Sequence, residues 1–257
     1  MKCAKILAVS VLALASVANA ADPNLVGWWK LDETSGPNAV DSSGKGNNGT
    51  LVGSPQWVAG HIAGALQLDG NDYVSLPIGS VINSLDEATF AIWVNWSGRP
   101  DPNAGGWQRI FDFGTNTGNY IYLCPSTSEA DAAMRVAIVA NNNIWDEFDA
   151  RVDGNSIALP TGWHHIAVTV SESSDTMIMY LDGNTVGSKT YCTNAVSDLG
   201  VTTNNWLGKS QYNDPNFKGS LDDFRIYNRV LSKDDIKALL PKTKGKEKAS
   251  TPGTSVR

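Results

Sequence analysis

Large apolar residues occupy every second position in run after run of this chain. "ATFAIWVNW" sets Phe90, Ile92, Val94 and Trp96 against Thr89, Ala91, Trp93 and Asn95, and "MRVAIVA", "WHHIAVTV", "TMIMYLDG" and "GSLDDFRIYN" behave alike. A period of two puts alternate side chains on opposite faces of a strand, so each run buries one face and must find a second layer to cover it. Turn residues separate the runs. "LDGNDYV" from Leu68 and "LDGNTV" from Leu181 both place Asp-Gly between apolar runs, which predicts two hairpins. Roughly a dozen such strands suit a sandwich or jelly roll. Trp28, Trp93 and Trp163 lie inside strand patterns and are expected in its core. A single helix is predicted. Ser232 and Asp235 form a capping box ahead of "IKALL", Pro241 ends the segment, and Ile236 and Leu240 share its buried face. The fold class is therefore all-β, a two-sheet antiparallel jelly-roll sandwich with one short C-terminal helix.

The two ends read differently. Lys2 and Lys5, the apolar "ILAVSVLALASVA" and the small-x-small pattern Ala18-Asn19-Ala20 predict a signal peptide over residues 1–20. A single domain is expected over 21–240, in the periplasm or outside the cell, followed by a disordered basic tail over 241–257. No other stretch approaches the roughly 18 apolar residues of a membrane span. Without the leader, 18 basic residues face 26 acidic ones, a net charge of −8. Nucleic-acid binding rests on clustered Lys and Arg, so that class of partner is not expected. Cys124 and Cys192 then remain, and in an exported chain a disulfide between them is expected over two buried thiols.

"GWWKLDETSG", "DSSGKGNNGTL", "ALQLDGNDYVSLP", "GWHHIAVTVSESSDTMIMYLDGNTVGS", "WLGKS" and "FKGSLDDFRIYNRVLS" follow one another from about Val26 to Leu239. In that order they resemble bacterial laminin G-like jelly rolls of the concanavalin A-like lectin/glucanase superfamily. The resemblance implies two packed antiparallel sheets, an extracellular setting, frequent calcium binding, and glycan or protein ligands. It implies no single activity, because function is carried by sites and not by the fold.

Hydrolytic relatives in that superfamily carry acids as Glu-x-Asp-x-x-Glu on one strand. In "WDEFDARVD", Glu147 and Asp149 share a face, but Arg151 stands where the next acid of that face belongs, so no catalytic residue is assigned. His164 and His165 point to opposite faces and cannot converge on one ligand; His164 is expected as a hydrogen-bonded core residue. The loop "LDETSGPNAVDSSGKGNNGT" concentrates oxygen ligands, so calcium is expected as a cofactor held by Asp32, Asp41 and Asp222; the alternative is an ordinary loop whose side chains cap their own backbone. In the last strand, alternation places Asp222 inward with Phe224 and Ile226, to be met by that calcium, a buried Arg or backbone N–H groups, and Asp223 outward and solvated with Arg225 and Tyr227. Trp107, Trp145 and Tyr212 are aromatics in polar, turn-rich segments, the pattern of platforms on which sugar faces stack. The expected function is a secreted, non-catalytic binding module for an extracellular carbohydrate. A protein- or envelope-binding domain and a divergent glycoside hydrolase are the alternatives.

Overall fold

The computed structural model describes residues 22–99, 106–127, 132–141 and 143–241. The leader at 1–20 and the tail beyond Pro241 lie outside the described residues. Two antiparallel eight-stranded sheets pack against each other. The first runs Asn184–Thr190, Thr176–Leu181, Trp163–Ser171, Glu87–Trp96, Lys218–Tyr227, Gly64–Asp69, Gln56–Ala59, with Leu25–Trp29 also paired to Lys218–Tyr227. The second runs Ile144–Asp149, Arg135–Ala140, Asn119–Cys124, Phe111–Asn116, Asn204–Leu207, Tyr73–Ser75, Gly49–Val52, Asn38–Ala39.

Alternation decides what lies between the sheets. Phe90, Ile92, Val94 and Trp96 from the first sheet meet Phe111, Phe113, Ile121, Leu123, Val136 and Ile138 from the second. Phe90 lies 5.2 Å from Phe111 and 5.9 Å from Phe113, centroid to centroid, and Phe113 lies 6.1 Å from Phe224. The expected core tryptophans are placed elsewhere. Trp29 and Trp96 enter the inter-sheet core, whereas Trp28, Trp93 and Trp163 take the other face of the first sheet. Trp93 is buried there because His61 stacks on it at 3.7 Å.

The capping box at Ser232 and Asp235 forms, opening the helix Lys233–Ala238. Ile236 is fully buried against the outer face of the first sheet, beside Ala91, Ala167 and Tyr227. Of the two Asp-Gly turns, Asp182-Gly183 closes a hairpin with Leu181 opposite Asn184. Both residues have positive φ, 50° and 74°, as a two-residue turn of this hand requires. Asp69-Gly70 does not close a hairpin. The strands it joins, Gly64–Asp69 and Tyr73–Ser75, belong to different sheets. Asp72 pulls the chain across by accepting from the Ser54 and Asp69 amides. His164 Nδ1 donates to Asp182 at 2.7 Å, and the ring is half-buried at the sandwich end, not within the core.

The last strand corrects the expected facing of its acid pair. A bulge lies between Asp222 and Arg225, so that Asp222 opposes Trp93 and Arg225 opposes Ala91. Asp223, at φ 53°, occupies the extra position. The bulge reverses the phase of the alternation: Leu221, Phe224 and Ile226 face the core, and Asp222 faces the other way. Asp222 is nonetheless fully buried, because the turn at residues 60–63 folds over it and the Ile62 N–H donates to its Oδ2 at 2.7 Å. Asp223 is buried too, not solvated. It accepts from Trp28 Nε1 at 2.6 Å and pairs with Arg225 at 2.8 Å. It thereby ties the first strand to the last.

The expected disulfide is absent. Cys124 and Cys192 are both free and buried. Alternation places Cys124 with Tyr120 and Tyr122 on the outer face of the second sheet, while Cys192 packs into the inter-sheet core. A layer of sheet separates the two thiols. Burial pushes each up to about 11, so neither is an activated thiolate. Unfolding without reductant is expected to expose both Cys124 and Cys192 to iodoacetamide, read as two alkylated peptides by mass spectrometry. A tryptic peptide linking the two would overturn this.

Asp222 makes the stability pH-dependent. Burial pushes its carboxyl up to about 7, and its Oδ1 has no hydrogen-bond partner among the described residues. A raised acid favours the folded state at low pH, and that contribution is lost as pH rises through about 7. Asp222→Asn, neutral throughout, is expected to melt about 3 °C or more above the parent protein at pH 8. Stability of 1 kcal/mol is worth roughly 2–4 °C at this size. The difference should shrink toward pH 5 in a fluorimetric melt, and a difference independent of pH counts against Asp222 as its source.

Candidate functional site

The outer face of the second sheet carries what the core does not use. Opposite Ile121 and Leu123 stand Tyr120 and Tyr122; opposite Val136 and Ile138 stand Arg135, Ala137 and Val139; opposite Phe148 stand Trp145, Glu147 and Asp149. Register sets these in rows: Tyr122, Ala137 and Glu147 lie abreast, as do Tyr120, Val139 and Trp145. Ala137 and Val139 are small, so a trough opens between the tyrosines and the outer strand. It deepens into a cavity of about 450 Å³.

All three aromatics expected as ligand platforms line this one cavity. Trp145 comes from the edge strand, is 45% exposed, and meets Tyr120 edge-on at 6.1 Å. Tyr212 comes from the segment after strand Asn204–Leu207. Its hydroxyl donates to the Thr117 carbonyl at 3.0 Å and lies 3.4 Å from the Tyr120 hydroxyl. Trp107 precedes strand Phe111–Asn116 and is half-buried between two guanidiniums, Arg109 at 5.7 Å and Arg135 at 5.3 Å from its ring centre. Its φ is 69°, a region that bulky residues rarely adopt. The surroundings hold it there: its N–H donates to the Ser126 carbonyl, and its own carbonyl accepts from Arg109 at 2.6 Å. Strain retained in this way clusters at binding sites.

Charges brace the cavity. Arg109 is buried between Asp112 (3.4 Å) and Asp214 (3.1 Å) and lies over the Tyr122 ring at 4.1 Å. Asp112 is fully buried and accepts from the Gln211 N–H at 3.0 Å, which anchors the segment that presents Tyr212 and Asp214. Burial pushes Asp112 up to about 7 against the pull of Arg109. Arg135 takes both oxygens of Asp149, at 2.6 and 3.2 Å, and lies 3.7 Å from Glu147. Burial also raises the Tyr120 and Tyr122 hydroxyls far above their ordinary range, so both stay protonated at neutral pH. The cavity thus offers ring faces, neutral hydroxyls and two ion-paired arginines.

Arg109, Arg135, Tyr120 and Tyr122 were not foreseen. The legible signal was "NYIYLC", where two tyrosines alternate with Ile121 and Leu123 on a strand whose other face is already apolar. The expected calcium ligands fall in two places. Asp41 accepts from the backbone amides of Trp28, Ser43 and Asn47, the loop-capping alternative. Burial opposes its charge, but these hydrogen bonds outweigh it and hold the carboxyl below its ordinary range. Asp32 and Asp222 line a different, smaller cavity with Lys30 and Arg225. Among the described residues no group of three or more His, Cys, Asp or Glu is placed to hold a metal ion. No helix among them is long and apolar enough to cross a membrane.

No curated protein sequence matches the chain. Solved structures share its fold. Domain 4 of AbnA, a GH43 extracellular arabinanase from Geobacillus stearothermophilus, in complex with arabinotriose, is 22% identical, with a TM-score of 0.66 over 84% of this chain and 97% of that one. The binding domain of Paraclostridial Mosquitocidal Protein 1 is 18% identical, with a TM-score of 0.61 over 84% of this chain. The binding domain of botulinum neurotoxin DC, in complex with rat synaptotagmin II, is 13% identical, with a TM-score of 0.63 over the same share. The chain spans about half of each toxin domain, 51%. The family model described as the concanavalin A-like lectin/glucanases superfamily, of laminin G type, matches residues 68–237. With its two antiparallel sheets and that match across most of its length, the chain belongs to this superfamily.

Proposed function

We propose that this chain is an exported, non-catalytic binding module that holds a neutral carbohydrate in the cavity between Trp107, Trp145 and Tyr212. The observation that carries the reading is the convergence of those three rings, from three separate segments, on one cavity with polar walls. Sugars present apolar ring faces and hydroxyl edges, and sites of this size pair apolar walls with a few placed polar groups. The fold shared with a Geobacillus domain whose structure contains arabinotriose supports the same reading. Export rests on the leader pattern of residues 1–20.

Neutrality follows from the charges. Both guanidiniums of the cavity already meet carboxylates, and Glu147 and Asp214 add negative charge to its wall. An acidic sugar would lose hydration there for little return. The absence of catalysis is proposed on similar ground. Glycoside hydrolysis needs two carboxylates flanking the scissile bond, whereas Asp149 gives both oxygens to Arg135 and Asp214 pairs with Arg109, which leaves Glu147 without a second free carboxylate.

A glycan array followed by calorimetry tests the reading. Neutral oligosaccharides, arabinotriose among them, are expected to bind, equally in calcium and in chelator, because the lining centres on arginines and rings. Acidic glycans are expected to bind more weakly. Trp145→Ala should lower affinity about tenfold, or 1.4 kcal/mol. Its melting temperature should stay unchanged, since the side chain is 45% exposed. No binding by any saccharide sinks the carbohydrate reading and leaves a protein or envelope ligand in its place.

A further inference from the structure

A second cavity, of about 400 Å³, adjoins the first and shares two wall residues with it, Arg135 and Glu147. It lies where the two sheets meet at their edges. Strand Ile144–Asp149 ends the second sheet and strand Asn184–Thr190 ends the first. The two come so close at Gly187 that a Cβ there would stand 2.7 Å from the Phe148 ring and 2.9 Å from the Asp149 carbonyl oxygen. The small residue lets the edges touch, and Ser188, next to Gly187, and Arg151, two residues beyond the other strand, flank the hollow beside them.

The two cavities differ in chemistry. The first is walled by rings. The second is predominantly polar: Ser188 and Arg151 are exposed, and among the described residues the Arg151 guanidinium bonds the Gly154 carbonyl alone, at 3.4 Å. Between them stands the Arg135–Glu147 pair, 3.7 Å apart with Glu147 39% exposed. Arg135, 13% exposed and held by both oxygens of Asp149, is a fixed cation at this point, whereas Glu147 can present its carboxylate to either side. A linear sugar chain offers the matching sequence, ring faces on one unit and hydroxyl edges on the next.

We propose that the two cavities form one groove, which binds an extended oligosaccharide across more than one sugar unit, with Arg135 and Glu147 contacting the chain between units. This rests on the carbohydrate reading of the first cavity and adds to it a length requirement and a second subsite at Arg151 and Ser188. A ligand spanning both cavities gains contacts without a second loss of translational freedom, so affinity rises with chain length.

The test is calorimetry on the intact protein with arabino-, xylo- and gluco-oligosaccharides, each as a series from disaccharide to hexasaccharide. In the parent protein, affinity is expected to rise by at least about tenfold along the series that binds, 1.4 kcal/mol. Ser188→Trp fills the second cavity and Arg151→Ala removes one of its two guanidiniums. Both positions are exposed, so both variants should melt like the parent. Each should keep the parent's affinity for the disaccharide and lose most of the gain with length. Affinity that does not change with length, or a gain kept in full by both variants, overturns the groove while leaving the single-cavity reading intact. Failure of every saccharide at every length removes the carbohydrate reading itself, and the groove with it.

Discussion

The contact of Phe90 and Phe224 with Phe111 and Phe113 across the two sheets is the constraint on which everything else depends. Each of these rings is fully buried, and such burial contributes roughly 1.5–3 kcal/mol per side chain. Because a strand alternates, committing Phe111 and Phe113 inward commits Asp112 outward, and committing Ile121 and Leu123 inward commits Tyr120 and Tyr122 outward. The candidate site is the complement of the core. Its tyrosines, arginines and acids stand where they do because the residues between them are buried.

The two outer faces met different fates. On the first sheet, the last helix covers one part through Ile236, and the turn at residues 60–63 covers another through His61 on Trp93 and Ile62 on Asp222. Those parts are covered at the cost of a buried carboxylate and of a His165 ring whose charged form burial disfavours, lowering it to about 4. On the second sheet, the segments flanking the strands bring Trp107 and Tyr212 to the rim of a cavity over Tyr120 and Tyr122. A rigid face with ring-bearing walls is what a binding module needs, and the second sheet gathers five rings around one cavity, Trp107, Tyr120, Tyr122, Trp145 and Tyr212.

Much of this was legible. The five alternating runs all form strands, because period-two patterning with β-branched and aromatic residues leaves little alternative. The capping box formed because it is a local exchange of two hydrogen bonds within four residues. The loop aromatics could be named because a large ring in a polar, turn-rich segment lacks a core to enter. Other features misled for equally physical reasons. Asp69-Gly70 has the chemistry of a tight hairpin, but Asp72, bonded to Ser54, draws the chain into the other sheet. The alternation through Asp222 and Asp223 breaks at a bulge carried by an Asp at φ 53°, and one extra residue exchanges the faces of everything beyond it. Cys124 and Cys192 suggested a pair by number alone, and number says nothing about which side of a sheet each thiol takes.

By itself, then, the sequence determined the strand-rich class, the family, the C-terminal cap and the identity of three rings now gathered at one cavity. Those features are local, or repeat along the chain, and so are written in spacing. Tertiary structure alone decided which face stayed open, that Arg109 and Arg135 would flank Trp107, that Asp223 would join the first strand to the last, and that the thiols would lie on opposite sides of a sheet. Apart from the Arg109–Trp107 contact, those outcomes turn on pairings between residues tens to hundreds of positions apart. Strand register and the bulge set those pairings, and neither can be read from the composition of a single strand.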